Sequence, residues 1–224
     1  IAVAAIGWLV PSGVAPVTKD GLAGEVRVLR RGQVWLAMSI SALASASLFA
    51  VFTYIKPILT DVSGLSVSAV AWVLLLFGAG LTIGNVIGGR LADWKLMPTA
   101  IGALVAIVLI HLLFAELASL ATAAVVMVFF WGVVAFTIIP PLQMRVVQTA
   151  SDGPNLAATL NQGAFNIGNA AGAWIGGTAI SLGVSYQNLP YVGATLALSA
   201  LGVAVFSYAL DRQAAATGFP APAA

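Results

Sequence analysis

Among the polar side chains inside the apolar stretches of this sequence, a row of amides stands out. Gln162, Asn166 and Asn169 recur at i, i+4 and i+7, which on a helix sets three amides along one face. Amides donate and accept, so such a face suits an uncharged hydroxylated or mixed-polarity solute. It serves equally well for hydrogen bonds between helices. Asn85 has the same two uses. Thr53 and Tyr54 precede Lys56-Pro57, where proline ends or kinks a helix and Tyr54 offers an aromatic face with a hydroxyl. Trp131 and Thr137 precede the double proline Pro140-Pro141, which reads either as a hinge or as the end of an apolar segment. These eight residues are the candidates for lining a substrate path.

Charged and nucleophilic chemistry is harder to find. His111 is the single histidine, a residue type whose ordinary titration lies near neutral pH; its place near the end of an apolar stretch suggests a ring that reaches water, with proton coupling as the alternative. No Asp or Glu lies deep in an apolar stretch, and no serine–histidine pair, carboxylate pair or ATP-binding loop is present. There is no cysteine. No catalytic residue, metal site or cofactor is expected, and without a basic cluster interleaved with aromatics nucleic acid is not an expected partner.

The elements that carry these residues are set by composition. A chain that is 61% hydrophobic and 7% charged, with mean hydropathy +1.05, cannot cover a soluble globule with polar surface. Residues 32–55, 62–89, 96–115, 117–144 and 153–210 contain no Asp, Glu, Lys or Arg. About 20 helical residues cross a hydrocarbon core of about 30 Å. The first four stretches fit one span each, and the fifth holds two, separated by the turn Gly183 to Pro190. The expectation is an all-α integral membrane bundle of six spans, at about 33–57, 66–90, 98–115, 119–142, 155–182 and 189–210, followed by a tail, 211–224. Residues 1–11 read as the end of a truncated preceding helix and 12–32 as a linker.

Threading the spans back and forth places eight of the nine basic residues on one side: Lys19, Arg27, Arg30, Arg31, Arg90, Lys95, Arg145 and Arg212. Basic loops are retained in the cytoplasm, so the linker, the 90–97 loop, the 145–154 loop and the tail are expected there. Lys56 ends the first span outside and snorkels toward Asp61.

Glycine supplies the packing signal. Gly80, Gly84 and Gly88 in the second span, and Gly168, Gly172 and Gly176 in the fifth, recur every four residues, the spacing that lets helices approach closely in lipid. The words Ile83-Gly84-Asn85 with Gly88 and Ile167-Gly168-Asn169 with Gly172 repeat. Equivalence of spans two and five in a chain that alternates direction implies a 3+3 inverted repeat, an architecture of transporters.

One motif gives these features a family. Gly88-Gly89-Arg90-Leu91-Ala92-Asp93-Trp94-Lys95 resembles the Gly-x-Leu-Ala-Asp-Arg-x-Gly-Arg loop of the major facilitator superfamily, with Trp94 at a usually basic position and no Gly-Arg after Lys95, as in the weaker second copy of that loop. The stretches from Ser47 to Pro57, Leu76 to Asp93 and Gly163 to Gly177 look like the C-terminal half of arabinose-efflux-type and drug–proton antiporter members. The resemblance implies that the spans are family helices seven to twelve of a twelve-helix transporter. It further implies a secondary active transporter that exports a small solute such as a sugar or drug by alternating access, with protons as coupling ion. Gly89, Arg90, Asp93 and Lys95 would then form a loop gate, latched by charge pairs. The implied partners are the lipid bilayer, the missing N-terminal six-helix half and the solute. The implied location is the plasma membrane, as a multi-pass protein of a bacterial cytoplasmic membrane. A membrane subunit or channel-type protein of a larger complex, and a polytopic membrane enzyme, are the rival readings.

Overall fold

A computed structural model describes residues 27–150 and 153–216, and every regular element among them is helical. The expected truncated helix at 1–11, most of the linker and the end of the tail lie outside the described residues.

Seven helices matter here. They are α1 (Gly32–Phe52), α2 (Val67–Trp94), α3 (Leu96–Leu117), α4 (Ala121–Thr137), α5 (Ile139–Thr149), α6 (Pro154–Ser181) and α7 (Leu189–Ala216). Local chemistry sets their ends. Ser66 caps α2 by accepting the Ala69 N–H, after Gly64 turns the chain at φ +69°. At the end of α6, the Gly183 N–H donates to the Ile180 carbonyl and the Val184 N–H to the Ala179 carbonyl, a Schellman arrangement that needs Gly183 at φ +95°. Beyond α1, Pro57 lacks an N–H, and the chain continues through the short helix Ile55–Pro57 and a wide π turn, Ile58–Val62.

Five helical segments are long and apolar enough to cross a membrane: α1, α2, α3, α4 continued by α5, and the segment Tyr186–Ala216 that contains α7. Helix α6 has the length, 28 residues, but its amides and glycines keep it out of that set.

Three boundaries differ from expectation. The Gly89–Trp94 motif is the last turn and a half of α2, and Lys95 alone joins α2 to α3, so there is no 90–97 loop. The double proline does not end its segment: the helix breaks at Ile138, and Pro140 and Pro141 occupy the first turn of α5, where a missing N–H removes no helical hydrogen bond. As a result Arg145 lies on a helix rather than in a loop. The tail is helical to Ala216.

The packing is carried by close backbone approach. Helix α2 lies on α4, and α6 lies on α1. A Cβ added at Gly80, Gly84 or Gly88 would strike the backbone carbonyls of Phe129, Val133 and Thr137 in turn. One added at Gly168, Gly172 or Gly176 would strike those of Ala42, Ala46 and Ala50. Helix α7 packs on α1 and α3, and α3 also packs on α4. Apolar side chains fill the bundle in three layers: Ile58, Phe77, Phe114 and Trp131 at one end, Ile40, Leu104, Leu142 and Phe165 in the middle, and Val34, Met38 and Val146 at the other.

Candidate functional site

The glycine spacing settles which face of α6 is buried. Asn161, Phe165, Gly168, Gly172 and Gly176 are buried along the α1 side, and the amides one residue on, Gln162 and Asn166, are turned out and exposed. Neither side chain hydrogen bonds to another described residue, and the Asn169 Oδ1 is buried without a partner. The three amides therefore do not act as hydrogen bonds between helices of this bundle. Exposed amides in the middle of a 28-residue helix are poorly matched to lipid tails and call for water or further protein against them. Asn85 on α2 is likewise exposed, between the exposed Ile83 and Val86.

The remaining path candidates separate. Tyr54 is partly buried and donates its hydroxyl to the Ala173 carbonyl of α6 at 3.0 Å, closing the seam beside Gly176 and Gly177. Thr53 is exposed, with its hydroxyl turned back to the Phe49 carbonyl at 2.7 Å. Thr137 is half-buried and donates to the Val133 carbonyl at 2.8 Å. Trp131 is only 1% exposed and sits in an aromatic cluster with Phe52, Phe77 and Phe114, away from any open face.

His111 is also inside that cluster. It is fully buried, with its ring edge-on to Trp131 at 5.5 Å and packed against Gly193, and neither nitrogen makes a hydrogen bond of ordinary geometry. The expectation of a ring that reaches water is thus corrected: Gly193 on α7 and the α3–α4 contact enclose it. Lys56 and Asp61 form no ion pair either, and the Asp61 carboxylate accepts from the Thr60 hydroxyl at 2.6 Å.

At the other end, Gly89, Arg90, Asp93 and Lys95 lie at the α2–α3 junction. Among the described residues no ion pair joins Arg90, Asp93 and Lys95; all three are exposed, and the Lys95 ammonium sits 5.0 Å from the Trp94 ring centroid. The expected charge latch is absent from this bundle taken alone.

Among the described residues a charge pair forms elsewhere. Arg145 on α5 is 9% exposed and donates to the Asp211 carboxylate of α7 at 2.6 Å, to the Ser207 hydroxyl at 3.2 Å and to the Gln33 side-chain carbonyl of α1 at 3.3 Å. Ser207 in turn donates to Gln33 at 2.7 Å. Reading Arg145 as a loop charge missed this, because its acid lies 66 residues away. Asn161 was missed as well: it is fully buried and donates to the Gln143 side-chain carbonyl at 2.8 Å. Its signal was available, seven residues before Gly168 on the glycine face.

The geometry is that of a helical bundle with buried polar ties, two glycine seams and one exposed amide face. A family model, the Major Facilitator Superfamily, matches residues 1–173. The chain belongs to the major facilitator superfamily. Among superfamily relatives, the inner membrane transport protein YdhP of Escherichia coli (strain K12) is 40% identical over 190 residues, covering 85% of this chain and 48% of YdhP. The putative transporter AraJ of the same strain is 31% identical, over 88% of this chain and 50% of AraJ. The chloramphenicol resistance protein of Streptomyces lividans is 33% identical, over 90% of this chain and 52% of that protein. The chain spans about half the length of the curated relatives it matches. Superfamily membership and the five apolar helical segments together make this a multi-pass membrane protein.

Proposed function

We propose that this chain is one wall of a secondary active transporter that exports a small solute by alternating access, with α6 also crossing the membrane, as the fifth of six spans, and its amide face lining the path. The observation that carries the reading is the exposure of Gln162 and Asn166 on a helix whose opposite face is locked to α1 through Gly168, Gly172 and Gly176. A second bundle against that face would close a midplane cavity, with the amides as donors and acceptors for an uncharged or mixed-polarity solute.

The packing pattern favours a 3+3 inverted repeat. Exchanging α1 with α4, α2 with α6 and α3 with α7 turns the α2–α4 seam into the α6–α1 seam, and the α3–α4 contact into the α7–α1 contact. Each half of the repeat then contributes one glycine-faced helix. The basic residues Arg31, Arg90, Lys95, Arg145 and Arg212 gather at one end of the bundle, which supports a cytoplasmic linker and C-terminus. In the proposed transporter Asp93 and Arg90, unpaired here, would latch against the partner bundle on the cytoplasmic side, and the break at Ile138 would flex. Coupling to protons draws on the partner bundle, since no carboxylate lies deep in the described helices and His111 is sealed in apolar packing.

The test is reconstitution of the complete transporter in liposomes with an imposed pH gradient. Chloramphenicol and arabinose serve as probes, the first because a relative carries its name. The expected result is movement of at least one probe that stops when the gradient is collapsed. Movement insensitive to the gradient overturns proton coupling, and movement of neither probe overturns the solute classes proposed.

A further inference from the structure

A groove of about 370 Å³ opens between α2, α3 and α4 at the basic end of the bundle, away from the amide face. Its walls include Leu91, Trp94, Pro98, Gly102, Ala106 and Val134. Small residues make the space: nothing lies within 4 Å of a Cβ built on Gly102. The lining contains two hydroxyls, Thr99 and Thr137, but both donate to carbonyls of the bundle, to Leu91 at 2.9 Å and Val133 at 2.8 Å. The length of the groove offers carbon and little else.

Its mouth is different. Lys95 is the one charged residue among the lining residues, exposed beside the Trp94 ring; Arg90 and Asp93 do not line the groove. Helix α3 begins directly after Lys95, so the Lys95 side chain stands where the helix meets the mouth. From Lys95 to Ala106 the helix rises about 16 Å, close to half of a hydrocarbon core of about 30 Å. A ligand that fits has one anionic end at the membrane surface and an apolar body one leaflet deep.

We propose that this groove holds a phospholipid with an anionic headgroup, its phosphate at Lys95 and an acyl chain along Gly102 and Ala106. Charge complementarity selects the occupant: the Lys95 ammonium, the one charged group lining the groove, favours an anion, and a tryptophan beside a basic residue is what the membrane interface accommodates. An uncharged polar solute would enter a channel whose hydroxyls are already committed. A zwitterionic lipid fills the same apolar length but adds a second cation next to Lys95.

Native mass spectrometry of the complete transporter in detergent, titrated with phosphatidylglycerol or phosphatidylcholine of identical chains, tests this. The expected result is about tenfold greater retention of phosphatidylglycerol. Lys95→Gln should remove most of that preference while keeping total lipid retention. Gly102→Leu, which enters open space and leaves the fold intact, should reduce retention of both lipids. Equal retention by the unaltered protein overturns the proposal. So does a preference unchanged in both variants, which places the anionic site elsewhere. Loss in Lys95→Gln with no effect of Gly102→Leu overturns the groove and leaves only a basic rim, and displacement of phosphatidylglycerol by chloramphenicol assigns the groove to solute instead.

Discussion

The α2–α4 seam and the α6–α1 seam are built alike, yet the helices that make them present opposite chemistry to the outside. Both use three glycines at four-residue spacing to bring a helix onto the carbonyls of its neighbour. Outward, α2 shows Trp72, Leu75, Ile83 and Val86, with Asn85 the one amide among them, whereas α6 shows Gln162 and Asn166 beside Ile167 and Trp174. The packing rule governs one face of a helix and leaves the other free. The two seams can therefore share a structural role while only one helix carries a row of amides on its outward side.

The sharpest way to break the likeness of the seams is to fill them. Gly84→Leu and Gly172→Leu each drive a side chain into a backbone carbonyl, which cannot move as a side-chain tip can, and overpacking of this kind costs about 1–3 kcal/mol or more. Both variants should lose most of the monodisperse protein recovered from membranes, measured by size-exclusion chromatography. Gly102→Leu, at an open position, should be recovered as well as the parent. Loss at one seam alone would end the idea that they are equivalents.

The two seams are tied together by the Arg145 cluster, since α5 continues α4 of the first seam and Gln33 belongs to α1 of the second. Arg145→Met leaves Asp211, Ser207 and Gln33 without their shared donor. Asp211 keeps a third of its side chain exposed, so the expected loss is about 2 kcal/mol, below the cost of breaking a fully buried pair. Thermal unfolding in detergent should fall for Arg145→Met and recover partly in Arg145→Met with Asp211→Leu. An unchanged midpoint in the single variant would show that the pair adds no stability.

How much of this was legible depends on whether the signal was local. Stretches without charge located the apolar helices, and glycine spacing located both seams, because bilayer thickness and helix pitch act on consecutive residues. The Arg90–Lys95 loop was misread because a motif known as a loop can still complete a helix. Arg145 was misread because Pro140 and Pro141, tolerated in a first turn, start a helix that carries it inward. Asn161 and Gln162 are neighbours of similar polarity, and only the register set by Gly168 tells that the first is buried and the second exposed. The burial of His111 depends on Gly193, 82 residues away, which no local pattern reveals.

The amide face separates α6 from α2 most directly in function. Gln162→Ala and Asn166→Ala should each raise the KM for a transported solute about two- to tenfold, the range for one neutral hydrogen bond, with recovery from membranes unchanged. Reduced recovery with unchanged KM would assign these residues to packing against the partner bundle.

The smallest expected effect falls on Asn85, and it sharpens the comparison most finely. Asn85 occupies the place on α2 that Asn169 holds on α6, each following a seam glycine, Gly84 or Gly168. On α6 the amide belongs to a row with Gln162 and Asn166. On α2 it stands among Ile83, Val86 and Ile87, all exposed. A single amide in an apolar surface has no polar neighbour to share a solute with, so Asn85→Ala should raise KM by about twofold, the low end for one neutral hydrogen bond. Asn85→Leu distinguishes the two surroundings. Facing the path, it should raise KM as alanine does; facing lipid or a partner helix, it should leave KM alone and raise the thermal midpoint by removing an unpaired polar group from an apolar surface. A raised midpoint with unchanged KM would confine the solute path to the α6 side, and the two glycine helices would then differ in role as well as in chemistry.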